Sequence, residues 1–193
     1  MKLRLVFAAG FALALGACKT PQMPAYYVSR DSLYYLQQMP PAAVSLAPFS
    51  GGAATLGAST GTDILSACSL AARDQSNMPL APASYIQTAL AEELIAAGRY
   101  APDAGDVRLA GQVQTLSLSR GVSFGGEWTI GLRLTSSNGA QMQVEEEYRF
   151  DIGAFAGPTV CNRAIRHFEP AVRSMLEKAI RSPEFTQLLA ARE

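Results

Sequence analysis

The sequence is poor in the residues around which most enzymes and metalloproteins are built. It holds one histidine and three cysteines in 193 residues. A lone His167 excludes a histidine-rich metal centre, and no His, Cys, Asp and Glu cluster has metal-ligand spacing. A surplus of one charge is missing too: 16 basic and 16 acidic residues cancel, with no basic stripe for nucleic acid and no polybasic cluster for anionic lipid. There is no glycine-rich phosphate loop joining a strand to a helix, so no nucleotide cofactor is expected; Gly121 to Gly126 reads as a turn. The apolar run Leu5 to Leu15 is too short to cross a membrane. As a helix it rises about 16 Å at roughly 1.5 Å per residue, whereas a span needs about 20 residues.

What is present begins at the N-terminus. Lys2 and Arg4 precede the apolar run, and Leu15-Gly16-Ala17 leads into Cys18. This order defines a secretory signal peptide over residues 1–17. Leu15-Gly16-Ala17-Cys18 resembles the bacterial lipobox, which implies diacylation of the Cys18 thiol, removal of the preceding peptide and acylation of the new amine. Each chain adds roughly 0.8 kcal/mol per buried CH2, and two or more anchor stably. Lys19, standing where an aspartate would retain such a protein in the inner membrane, points by the same resemblance to the outer membrane, facing the periplasm.

Removal of residues 1–17 leaves 193 minus 17, or 176, residues, enough for one domain with its own core. Loss of Lys2 and Arg4 makes the charge 14 minus 16, or −2. With Cys18 acylated, Cys68 and Cys161 remain in an oxidising compartment and are expected to form a disulfide; two buried free thiols are the alternative. The bridge would close 161 minus 68, or 93, positions, for which chain entropy gives about 4 to 5 kcal/mol.

Residues 18–41 carry Pro21, Pro24, Pro40 and Pro41 with little periodicity, which predicts a lipidated tether ahead of a single domain over 42–193. Its 23 residues after Cys18 reach about 25 to 29 Å as a coil. Ala42 to Ala47 suits a short strand, and Thr62 to Ala71 a strand or a helix. From Ser84 the pattern is helical: Ser84 and Gln87 have capping-box spacing, Ile86, Leu90 and Leu94 form a stripe, and Gly98 stands where a C-terminal glycine belongs.

Three strands follow, near 106–119, 127–136 and 140–151. Trp128, Ile130, Leu132 and Leu134 alternate with polar residues or glycine, as do Met142, Val144, Tyr148 and Phe150. Joining the two apolar faces needs a loop with an odd residue count. Ser137, Asn138 and Gly139 supply it, with Gly139 left-handed, and pair Leu134 with Met142, Leu132 with Val144 and Trp128 with Tyr148. This register turns Glu146 inward opposite Ile130, with its head expected in water at the mouth of the sheet, while Glu145 and Glu147 share the solvated face.

Ile165, Phe168, Val172, Met175, Leu176, Ala179 and Ile180 form an amphipathic pattern, and Pro170 requires the main helix to start only a few residues before it. Ser182-Pro183 ends that helix and caps another carrying Phe185, Leu188 and Leu189. The order of elements predicts an α+β fold, an antiparallel sheet with helices on one face.

The stretch from Ser84 to Leu189 resembles the YajG-type envelope lipoproteins in its order of features. These are the helix ending Ala97-Gly98-Arg99-Tyr100, the Trp128 strand, the Asn138-Gly139 turn, the Tyr148 strand and a helix containing Ala171-Val172. The resemblance implies a small α+β domain of the cell envelope, with no catalytic residue to carry over. Cys68 and Cys161 depart from that family's pattern.

Gly57-Ala58-Ser59-Thr60-Gly61 fits the G-x-S-x-G nucleophile elbow, with His167 in hydrolase order. An elbow needs a buried strand entering the serine within a parallel sheet, and the strands here form hairpins. A Cys68/His167 dyad would need a thiolate that Cys161 is placed to oxidise. The expectation is therefore a non-enzymatic protein that binds an envelope partner. A small-ligand or lipid-binding transport auxiliary is the alternative, and a hydrolase using Ser59 and His167 ranks last.

Overall fold

The computed structural model describes residues 24–51, 82–120, 125–151 and 158–190. Its elements are α1 (Arg30–Gln38), β1 (Val44–Leu46), β2 (Ser50–Gly51), α2 (Pro82–Ala96), β3 (Val107–Arg120), β4 (Gly125–Ser136), β5 (Gln141–Asp151), α3 (Pro158–Arg166), α4 (Phe168–Arg181) and α5 (Pro183–Leu189). The fold is α+β: a five-stranded sheet with helices packed against it. The expected strand or helix at 62–71 lies outside the described residues.

The antiparallel sheet read from the sequence is present over three strands, with a parallel edge added to it. β3, β4 and β5 form an antiparallel meander, but β1 and β2 both run parallel to β3 along its outer edge. A parallel neighbour requires a crossover, usually through a helix, and α2 lies between β2 and β3 in the chain.

The β4–β5 register follows the alternation of the sequence. Leu134 faces Met142, Leu132 faces Val144, Trp128 faces Tyr148 and Ile130 faces Glu146. Gly139 turns the chain at φ 95°, a left-handed conformation that disfavours a Cβ. β3 carries an irregularity at Gln114, between the Val113–Leu132 and Thr115–Gly131 pairs. The extra residue switches parity, so Val107, Leu109 and Val113 are buried before it and Leu116 and Leu118 after it.

One helix start differs from expectation. α2 begins at Pro82, where a proline is pre-organised for the first turn, so Ser84 lies inside the helix. Gln87 does not complete a capping box; its Oε1 accepts from the Phe49 amide at 3.0 Å. The α2 C-terminus closes as expected on Gly98: its amide donates to Ile95 O (2.9 Å) and that of Arg99 to Leu94 O (2.8 Å), the paired bonds of a Schellman cap.

Pro170, third in α4, has no amide for the carbonyl of residue 166, and the chain bends at His167 between α3 and α4. α4 then buries Ala171, Val172, Met175, Leu176, Ala179 and Ile180 against the sheet and its neighbours. Phe168 meets the Trp128 ring edge-on at 5.0 Å, and the Trp128 indole donates to Ala164 O at 3.0 Å. Burying side chains of this kind contributes roughly 1.5 to 3 kcal/mol each. Gln141, Gln143, Glu145, Glu147 and Arg149 stay on the exposed sheet face.

The segment expected as tether is part of the fold from Pro24 onward. Ser29 caps α1, its Oγ accepting from the Ser32 amide at 3.3 Å, and Ser32 and Leu36 are buried. Pro40 holds Met39 extended and ends the helix. Arg99 then pins that end, donating to the carbonyls of Met39 and Pro40 at 2.6 Å each. The sequence hid this helix because its buried stripe is a single leucine and a serine.

Candidate functional site

The N-terminal segment is organised around a buried carboxylate. On α2, Glu93 stands seven residues beyond Ile86, on the stripe that also buries Leu90, and it is 0% exposed. A buried charge costs several kcal/mol unless hydrogen bonds replace its water. Here the Tyr26 hydroxyl and the Ser29 amide both donate to Glu93 Oε1, at 2.6 and 2.9 Å. Glu93 Oε2 has no partner among the described residues.

Two carboxylates of α4 continue the pattern. The Ser29 hydroxyl donates to Glu177 Oε1 at 2.5 Å, and the Tyr27 amide to Glu169 Oε1 at 3.4 Å. The Tyr85 hydroxyl donates to Pro24 O at 3.0 Å. Residues 24–29 thus form a strap laid across α2 and α4. Burial pushes the Glu93 carboxyl above its ordinary value, against the bonds from Tyr26 and Ser29. Burial, reinforced by Glu93, pushes the Tyr26 phenol above the phenol range, and burial with Glu169 raises Tyr85. Both phenols therefore remain donors, as the strap requires.

Beside the strap, an open cleft of about 390 Å³ lies between β5 and α4, lined by Glu146, Ser174, Glu177, Lys178, Arg181 and Ser182. Glu146 arrives there through the hairpin register. It does not extend into water: its side chain is 17% exposed, Ser174 Oγ donates to Oε1 at 2.7 Å, and Lys178 Nζ lies 3.4 Å from Oε2. Lys178 also donates to Glu145 O at 2.6 Å. Arg181 binds Asp31 and lies over the Tyr35 ring at 5.4 Å, joining α4 to α1. The cleft is polar: Glu146 pairs with Lys178, while Glu177 and Arg181 are engaged by Ser29 and Asp31.

The fold has a counterpart among solved structures. The chain superposes on the crystal structure of protein XCC0632 from Xanthomonas campestris, of family-model DUF330, with a TM-score of 0.54. The likeness covers 85% of this chain and 94% of that one at 12% identity, and is therefore one of fold. No family model and no curated protein matches the sequence.

Of the residues singled out from the sequence, Cys18, Ser59 and Cys68 lie outside the described residues, and Cys161 falls within α3. His167 sits half-buried at the α3–α4 bend and stacks on Phe150 at 4.5 Å and 19°. Burial, then the Arg163 charge, lower its pKa, against Asp151. No group of three or more potential metal ligands occurs among the described residues.

The strap residues Tyr26, Ser29 and Glu93 were not anticipated. One signal was available: a glutamate on the apolar stripe of a helix demands a partner. Nothing in the sequence says that the partner comes from a segment 64 to 67 residues away.

Proposed function

We propose that this chain is a non-enzymatic envelope lipoprotein, related to the YajG-type proteins, that acts by binding another envelope protein. In this reading Cys18 is acylated and holds the domain on the outer membrane, facing the periplasm. The Leu15-Gly16-Ala17-Cys18 motif behind a short apolar run carries the proposal. Among the described residues no helix is long and apolar enough to cross a membrane, which agrees with a lipid anchor as the means of attachment.

The binding surface that suits a protein partner is the exposed face of β5, with Gln141, Gln143, Glu145, Glu147 and Arg149. A ligand-binding auxiliary would need an apolar cavity between sheet and helices. In the described residues that layer is filled by Trp128, Leu132, Leu134, Phe168, Met175 and Leu176, all 3% exposed or less. The hydrolase alternative needs Ser59 within hydrogen-bond reach of His167, a distance outside the described residues.

The test is in-cell crosslinking from the β5 face, followed by identification of what is captured. One repeatable envelope protein is expected. Recovery of lipid alone would overturn the protein-binding role, and loss of function in Ser59→Ala with partner capture intact would restore the hydrolase.

A further inference from the structure

We propose that the α1 side of the domain lies on the bilayer surface, with Tyr27, Tyr34 and Tyr35 seated in the headgroup layer. The proposal rests on acylation of Cys18 and goes beyond it, because it fixes which side of the domain faces the lipid.

The first observation is where exposed apolar surface concentrates. Among the described residues the large hydrophobic side chains left open are Tyr27 (66%), Val28 (37%), Tyr34 (62%), Tyr35 (38%) and Ile95 (51%). Four of these five fall between positions 27 and 35. On α1, Ser32 and Leu36 are buried, while Tyr34 and Tyr35 lie on the exposed face among Arg30, Asp31, Gln37 and Gln38. Tyrosine combines an apolar ring with a hydroxyl that must stay hydrated, the combination enriched at membrane–water interfaces.

The second observation is covalent reach. The strap bonds of Pro24, Tyr26, Tyr27 and Ser29 hold this segment on α2 and α4. Cys18 is only six residues before Pro24. At no more than about 3.6 Å per residue, the acylated residue lies within roughly 22 Å of Pro24. The anchor therefore joins the domain at the Pro24 end of the strap, the segment that leads into α1.

The third is layer order. α1 packs on α2 and α4, which themselves cover one face of the sheet. With α1 on the lipid, the face of Gln143, Glu145 and Glu147 points away from the membrane, open to a partner. The occupant of the tyrosine patch is then the lipid, and a partner protein has the other side.

The test uses the mature acylated protein in vesicles of phosphatidylethanolamine and phosphatidylglycerol that contain a phospholipid with a photoactivatable headgroup. Adducts are expected to concentrate on the peptide spanning 27–35. Replacing Tyr27, Tyr34 and Tyr35 together by serine should lower their yield several-fold with the thermal melt unchanged; Tyr34→Ser alone serves if the triple variant melts early. Adducts concentrated on 141–149 or spread evenly, or crosslinks joining 27–35 of two chains, would overturn the α1 face while leaving the anchor standing. An N-terminal mass without acyl chains on Cys18 would overturn the anchor and this proposal with it.

Discussion

The chain of donors from the strap onto Glu93 makes one carboxylate the most consequential single residue described. Burial raises its pKa above the ordinary 4.5, so the folded state holds the proton more tightly than the unfolded chain does. Such a group contributes stability that is fully present below pH 4.5 and lost as pH rises through the raised value. Glu93→Gln keeps an oxygen to accept from Tyr26 and the Ser29 amide and carries no charge. The variant should melt above the wild type near neutral pH, about pH 7, and the gap should close as pH falls toward the ordinary carboxylate value. A gap that did not change with pH would show that charge burial is not its origin. This residue was half legible: its place on the stripe of Ile86 and Leu90 could be read, but its partners came from a segment whose prolines suggested a tether.

Among the elements, the β4–β5 hairpin shows what local rules can and cannot settle. Period-two alternation leaves one register that keeps both apolar faces together, and Gly139 supplies the left-handed turn, so pairing and loop length were readable. The hairpin tip has a second task that no local rule announces. Asn138 Nδ2 donates to the carbonyls of Gln187 (2.9 Å), Leu188 (3.3 Å) and Ala190 (2.8 Å), closing the C-terminal end of α5. Loss of these largely exposed bonds in Asn138→Ala should cost about 0.5 to 1.5 kcal/mol in urea unfolding. Asn138→Asp should cost more, since a carboxylate would face carbonyl oxygens at the negative end of a helix. An Asp variant as stable as the wild type would show that water satisfies these carbonyls. The irregularity at Gln114 is of the same kind: the switch from Val113 to Leu116 is written in β3, yet only pairing with β4 assigns the extra residue.

For the whole molecule, the proposed Cys68–Cys161 bridge would tie α3, at the end of the sheet that holds Trp128, to a part of the chain outside the described residues. Thiol titration of unreduced, denatured mature protein should find neither Cys68 nor Cys161 free, and reduction should lower the unfolding free energy by no more than about 4 to 5 kcal/mol. Two free thiols would reject the bridge. The sequence by itself determined the features that depend on neighbours within a few residues: the stripe of α2 with its glycine cap, the hairpin register, the helix start just before Pro170 and the break at Ser182-Pro183. Tertiary structure alone decided the rest. It set β1 and β2 parallel to β3, drew Tyr26 and Ser29 onto Glu93, and turned residues 24–38, expected as part of a tether, into a strap and a helix that begin six residues after Cys18. The reason is that short-range periodicity encodes which side of an element is apolar. A buried carboxylate or a one-leucine helix gains its stability only from distant partners that fill its hydrogen bonds and cover its surface.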